Sequence, residues 1–507
     1  MTIENKAANI EVGITDHYDP EVQAMLMAMY SRSYGPIANR LPSNEESVQE
    51  HKEKLGRFYT GYGHRSIGQL GSTAIWLEGV SQLAAKAIEY HPLFNGQESS
   101  TRYIDYSNQP MYVPSFDSGN AQGKELSHQV QQWQEKWRAF YVKALPLTIE
   151  MIKEQFPYDV QYPGDATEEQ HKKQRTTWEN TIKARAFDIC GGFLPAGSTT
   201  NVGFFGTFDT LNDHFGEMLH HPCEEMRNIA VEVLTKMKEK YPYGTMDIEK
   251  LREQYSYVTP FHFYPNGWDT KNEHVPLEVE VSNLKSVHEG FEELAANRKK
   301  GQKFDRVTSS RFNLIFKGHL DFRSYRDLHR HRNGVIDMWW LAPYKENIHS
   351  FYRDNIPQSL LPELEALEKE FSDFFDGFIG SDVTTISELQ YAVPMGYEIP
   401  VTYKCDLNQA MYILELRSGK TVHNTLRHLI QYWAEIFNKT FSNTFKIHVD
   451  FDKDNFTLRR GTQTFSEEAM KELTDQPVGE TKPTNIEHAP TVEKLLYQTD
   501  FNQNTIH

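Results

Sequence analysis

The sequence predicts an α+β fold made of two diverged copies of a helix-rich unit, each with small antiparallel sheets. Three observations point there. Apolar residues recur at helical spacing through most of residues 20–243, as in "STAIWLEGVSQLAAKAIEY" and "NIAVEVLTKMKEKYP". Strict alternation marks a strand in "LEVEVSNL" and a hairpin in "FKIHVDFDKDNFTLRRG". The order of motifs also repeats: a helix, a His-bearing triplet, a Pro-x-Gly segment and another helix. The triplets are Tyr90-His91-Pro92 and Arg330-His331-Arg332, and the Pro-x-Gly segments are Pro195-Ala196-Gly197 and Pro394-Met395-Gly396.

The first long amphipathic stretch stops at Pro92, which continues a helix poorly. The polar run "YPNGWDTKNEHVP" is the expected seam between the copies. The expected boundaries are a first half at 1–245, a connecting segment at 246–300, a second half at 301–445, and a hairpin with a polar C-terminal tail at 446–507. The 507 residues are enough for each half to bury its own core. With 53 Lys plus Arg against 70 Asp plus Glu, the net charge of -17 repels nucleic acid and anionic membrane, so neither is an expected partner. An anionic ligand must therefore meet a concentrated basic site. Cys190, Cys223 and Cys405 are widely spaced and form no CxxC, which fits a reducing compartment. The first twenty residues carry neither a basic nor an apolar leader, and no apolar run reaches membrane-span length, so a soluble cytoplasmic protein is expected.

Four stretches carry candidate chemistry. In "DFRSYRDLHRHRNG", Phe322, Tyr325 and Leu328 form the buried side of a helix, and Arg330, His331 and Arg332 occupy its last turn before Asn333-Gly334. Cations there either complement the helix dipole, with Asp327 reaching His331, or chelate a phosphate or diphosphate. In "DLNQAMYILELRSG", Asp406 caps a helix whose apolar stripe of Leu407, Met411 and Leu414 is continued by Arg417. A guanidinium on that side needs either a structural acid or a bound anion. "NGQESSTRYIDYS" sets Glu98, Ser99, Ser100, Thr101 and Arg102 beside Tyr103, which suits a phosphate monoester or an ordinary polar loop. "GYGHRSIGQL" places Gly61, Gly63, His64 and Ser66 before a helix without matching a dinucleotide or P-loop spacing. His214, His220, His221, Cys223 and Glu224 have no zinc-site spacing, so no metal is expected.

Taken together, these stretches resemble the flavin-dependent thymidylate synthases, with the motifs split between the halves. Gly63-His64-Arg65-Ser66 resembles that family's Gly-His-x-Ser/Thr entry. Glu98, Ser100, Arg102 and Tyr103 resemble its substrate turn, and Arg330-His331-Arg332 its Arg-His-Arg. Arg417 falls at the spacing of the arginine that contacts the pyrimidine, where the first half has Met218. Trp340 stands where the second half should repeat Ser100. Gly191 and Gln390 stand where an arginine is expected before the Leu-Pro pair, and Val393-Pro394 replaces that pair in the second half.

The resemblance implies a flavin-dependent thymidylate synthase-like fold in double-length form. It implies reductive methylation of dUMP to dTMP, with methylenetetrahydrofolate, NADPH and FAD, in composite sites drawn from both halves. Arg417 would be catalytic; His64, Ser66, Arg330, His331 and Arg332 would hold the cofactor; Glu98, Ser100 and Arg102 would bind the nucleotide. A homo-oligomer, a dimer of double-length chains, is implied as well. A non-catalytic flavin- or nucleotide-binding relative, or another folate- and flavin-dependent change to a uracil nucleotide such as hydroxymethylation, would use the same groups.

Overall fold

In the computed structural model, residues 18–453 are described apart from 33–36, 103, 117–119, 159–166, 265–275, 283–290, 344–347 and 379. The first half begins with α1 (Pro20–Tyr30), α2 (Glu45–Gly56) and α3 (Arg65–Gly68). The chain continues with β1 (Ser72–Ser81), α4 (Gln82–Glu89), β2 (Asn95–Glu98), α5 (Ala121–Gln155), α6 (Glu168–Cys190), β3 (Thr199–Thr207), α7 (Phe208–Met218), α8 (Glu224–Lys240) and α9 (Ile248–Gln254). α9, β4 (Leu277–Val281) and α10 (Phe291–Asn297) fall in the expected connecting segment, and the second half runs α11 (Arg306–Ser309), β5 (Phe312–Asp321), α12 (Phe322–Leu328), β6 (Val335–Met338) and α13 (Ser350–Asp354). It closes with α14 (Leu361–Asp376), α15 (Val383–Leu389), β7 (Glu398–Cys405), α16 (Leu407–Arg417) and α17 (Asn424–Thr440). The fold is α+β, as expected. No helix among the described residues is long and apolar enough to cross a membrane.

The two sheets repeat one plan. β3 lies between β1 and β2, and β7 lies between β5 and β6, all antiparallel, with β4 added at the free edge of β5. Ser81 pairs with Thr199 at the end of β1, and Asp321 pairs with Glu398 at the end of β5. Each strand end then caps the helix that follows: Ser81 accepts from the Ala84 N–H and Asp321 from the Ser324 N–H.

The copies meet back to back through their Pro-x-Gly segments. Pro195 and Pro394 form an antiparallel bridge. The Ala196 N–H donates to the Val393 carbonyl at 2.9 Å, and the Met395 N–H donates to the Leu194 carbonyl at 2.9 Å. The exchange continues with Gly197 to Tyr391 at 3.0 Å and Gly396 to Gly192 at 2.7 Å. Reciprocal donation of this kind is what a two-fold relation between copies produces, here within one chain.

Three expectations are corrected. "STAIWLEGVSQLAAKAIEY" is not one helix, because Ile75 and Leu77 belong to β1, whose pairing with β3 satisfies their backbone. Gly79 then takes φ +72 at an irregularity in the register, and Ser81 starts the helix. Arg330-His331-Arg332 lies beyond the helix end, because α12 stops at Leu328 and the chain turns through His331 N to Leu328 O at 3.1 Å. Residues 445–453 form no strand; side chains of α17 take their carbonyls, Gln431 donating to Asp450 O at 2.7 Å. The rest of the expected hairpin, the polar tail, most of the seam and Tyr103 lie outside the described residues.

Cores fill the space between each sheet and its helices. In the second half Trp433 of α17 is fully buried, stacks on Phe316 at 5.1 Å between centroids, and donates its indole N–H to Lys317 O at 3.0 Å. Trp433→Ala removes both the packing and a buried donor, so stability should fall by about 3–5 kcal/mol, read as an earlier urea midpoint.

Candidate functional site

The pairing of β2 with β3, ending at Glu98 opposite Val202, fixes where the turn Ser99–Arg102 begins. Opposite that turn stands α12. Its Phe322, Tyr325 and Leu328 pack into the second half's core, while Arg323 and Arg326, with Arg330 just past the helix end, recur three and four residues apart along the side facing the first half. Between them is a cavity of about 230 Å³, lined by Glu98, Ser100 and Arg102 from the first half and by Arg323, Arg326 and Arg330 from the second.

Charges inside it are paired across the two halves. One oxygen of Glu98, Oε1, accepts from the Nη2 of both Arg326 and Arg330. Arg330 Nε donates to the Arg326 carbonyl at 3.1 Å and lies 3.3 Å from Glu89 Oε2, which is also 3.4 Å from His329 Nε2. Burial, with Glu98 nearby, pushes the Glu89 carboxyl up to about 7. Arg102 holds Asp188 of α6 through two bonds, 2.9 and 3.1 Å, and Ser100 Oγ accepts from the Arg102 N–H at 3.2 Å. His423, at the start of α17, also lines the cavity. Burial holds its imidazole well below the ordinary value, so it is neutral and shares hydrogen bonds with Ser324 and Thr425.

Arg417 sits beside this cavity. Its Nε donates to His331 Nε2 at 2.8 Å and its Nη2 to the Asp327 carbonyl at 2.9 Å. Burial, and then Arg417 itself, lowers the His331 pKa to about 3, which leaves a lone pair for that bond. Burial pushes the Asp327 carboxyl up, but Arg417, Arg102, Arg330 and Arg326 outweigh it and hold it below its ordinary range. Asp327 lines the cavity and so connects Arg417 to it. Arg332 lies over the Phe94 ring at 5.1 Å, its Nη1 without a hydrogen-bond partner among the described residues.

Thus Glu98, Ser100, Arg102 and Arg330 converge, with His331, Arg332 and Arg417 next to them. His64 and Ser66 do not join them within one chain. They are exposed at the entry to α3, where His64 lies 6.0 Å from Phe58 and 6.3 Å from Tyr62. The His/Cys cluster is engaged elsewhere: His214 packs on His91 at 5.0 Å, and His221 Nδ1 accepts from the Cys223 N–H at 3.0 Å. Among the described residues no group of three His, Cys, Asp or Glu is arranged to hold a metal. Sequence reasoning missed Arg323, Arg326, Asp188 and His423. The first two left a signal, the arginine stripe beside the apolar stripe of α12; nothing in the sequence ties Asp188 or His423 to that helix.

Residues 14–243 match the family model described as "Thymidylate synthase complementing protein". The match lies within the first half of the chain. The likeness to curated relatives runs much further along the chain. A UPF0159 protein of Thermoplasma acidophilum is 23% identical over 474 residues, covering 81% of this chain and 91% of its own length. One from Chlamydia pneumoniae is 22% identical over 446 residues, 78% of this chain and 79% of the relative. Another from Chlamydia muridarum is 23% identical over 454 residues, 78% and 80%. The sheet plan of the matched first half is repeated in the second, as a double-length form of such a unit would have it.

The two halves have parted at this site. By position in their elements, Lys86 corresponds to Arg326, Tyr90 to Arg330, Met338 to Glu98, Trp340 to Ser100 and Met218 to Arg417. That corner is filled by rings. Trp340 stacks on Tyr264 at 5.2 Å, and Lys86 Nζ lies 5.0 Å from the Tyr264 ring centroid. Burial brings the Lys86 pKa down to about 8.

Glu89 makes the site's electrostatics testable. Its folded pKa of about 7 exceeds the ordinary 4.5, so between these values the native chain binds more protons than the unfolded chain. The stability that this group contributes is complete below 4.5 and is lost as pH rises through about 7. Glu89→Gln, which mimics the protonated acid, should therefore gain on the wild type as pH rises across that window, as read from urea midpoints.

Proposed function

We propose that the chain is an FAD-dependent thymidylate synthase that converts dUMP to dTMP with methylenetetrahydrofolate and NADPH, in a site shared between its halves. The observation that carries this reading is the cavity itself. A hydroxyl-bearing turn from one half faces a row of guanidiniums from the other, in a chain whose net charge of -17 otherwise repels anions.

The residues fit an anionic cofactor and substrate. Arg330 and Arg332 are available to the diphosphate of FAD, Arg332 with a donor to spare and the Phe94 face beneath it. Ser100 and Arg102 suit the phosphate of dUMP. Glu98, taken up by two guanidiniums, orients Arg326 and Arg330 and meets a sugar hydroxyl only through its remaining capacity. When bound, FAD supplies the hydride that completes the methyl group whose carbon comes from methylenetetrahydrofolate. Arg417, held by neutral His331, supplies fixed positive charge where negative charge develops on the pyrimidine. His64 and Ser66 lie exposed, and a cytoplasmic dimer of double-length chains would bring this turn from one copy to the cavity of the other.

A non-catalytic flavin- or nucleotide-binding role is favoured by one observation: Arg417 already has two acceptors, His331 Nε2 and the Asp327 carbonyl. Two measurements separate the readings. Protein loaded with FAD should show the flavin visible spectrum, and Arg330→Ala combined with Arg332→Ala should lower retained flavin about tenfold or more. An unchanged flavin content refutes the cofactor assignment. Tritium release from 5-labelled dUMP should occur with both co-substrates present and drop about 100-fold or more in Arg417→Ala. Yellow protein that releases no tritium supports the binding role.

A further inference from the structure

Among the described residues, Arg323 is the cation of the cavity wall to which no carboxylate is hydrogen-bonded. Its side chain is almost wholly buried at the cavity wall. Nη2 donates to the Thr101 carbonyl at 3.0 Å, while Nε and Nη1 have no hydrogen-bond partner among the described residues. The nearest carboxylate is Asp188 at 3.8 Å, and both its oxygens are already committed to Arg102. Glu98 is committed to Arg326 and Arg330. Burial lowers the Arg323 pKa, but a guanidinium stays protonated in proteins, so the charge persists. A buried charge left in this state is costly unless an anion completes it.

The first half is shaped to seat this guanidinium. A Cβ at Gly191 would lie 1.3 Å from Arg323 Nη1, so no other residue is compatible with Arg323 in this position. Gly191 follows α6 directly, three residues beyond Asp188. A glycine in one half and an arginine in the other thus form a single device: the Arg323 N–H donates to the Met395 carbonyl at 3.0 Å, and the Met395 N–H donates across to the Leu194 carbonyl at 2.9 Å.

We propose that Arg323, seated on Gly191, is the deep anchor for the phosphate of a nucleoside monophosphate, with Arg102 and Ser100 nearer the turn. About 230 Å³ admits a phosphate and part of a nucleoside. The ligand class rests on the function proposed above.

Calorimetric titration of the full chain with dUMP, deoxyuridine and inorganic phosphate tests the anchor. In Arg323→Met the Kd for dUMP and for phosphate should rise roughly 10- to 100-fold, with deoxyuridine changed by less than about twofold. Gly191→Ala should weaken the same two ligands in the same direction although it removes no charge, because it displaces the guanidinium. If Arg323→Met lacks the wild-type circular dichroism, Gly191→Ala and Arg323→Lys decide. Unchanged dUMP and phosphate affinities overturn the proposal, as does a loss shared equally by deoxyuridine. A wild type that binds neither phosphate nor dUMP overturns it too. Phosphate binding that depends on Arg323, with dUMP bound no better than phosphate, keeps the anchor and refutes the uracil-nucleotide reading.

Discussion

Backbone groups of Gly192–Gly197 and Tyr391–Gly396 donate and accept across a two-fold relation inside the chain. These groups are buried, so each hydrogen bond left unmade would carry the full desolvation penalty of its N–H or C=O. That constraint fixes the angle and distance between the halves. From it follows the placement of α12 against the turn after β2, and hence everything the cavity contains. A shift of one residue in this exchange would turn the arginine row of α12 away from Glu98, Ser100 and Arg102.

Given that placement, charge dictates the rest. Guanidiniums crowded into a small polar space repel one another unless carboxylates or ligands intervene. Two carboxylates of the first half do part of this: Glu98 lies between Arg326 and Arg330, and Asp188 grips Arg102. Neutral histidines do another part. His331 and His423, stripped of charge by burial, add hydrogen-bonding capacity without adding repulsion. Arg323 is left with no carboxylate hydrogen-bonded to it among the described residues.

Duplication also explains the asymmetry. A homodimer must place the same residue at both ends of its two-fold axis, whereas a fused pair can differ. Glu89 and His329, which correspond by position and touch at 3.4 Å, are such a case: an acid and an imidazole where a symmetric pair would oppose like with like. Trp340 and Tyr264 fill the corner that corresponds to the cationic cavity. The chain gathers guanidiniums on one side of the axis and packs rings on the other.

Local pattern made several features legible before any coordinates. Asp406 capping Gln409, the apolar stripe of Phe322, Tyr325 and Leu328, and the strand Leu277–Val281 depend on near neighbours, and the structure has each of them. The motif order likewise suggested a duplicated chain and named Glu98, Ser100, Arg102 and Arg330, which do meet. Other features depend on partners far along the chain. Whether Ser72–Ser81 is strand or helix is decided by β3, more than a hundred residues away, because its backbone bonds lie there. The glycine at 191 has no explanation within its own half. Only the packed structure puts Arg323 over it and leaves that guanidinium 3.8 Å from a carboxylate that Arg102 already holds, because electrostatic neutrality is a property of a volume and not of a sequence window.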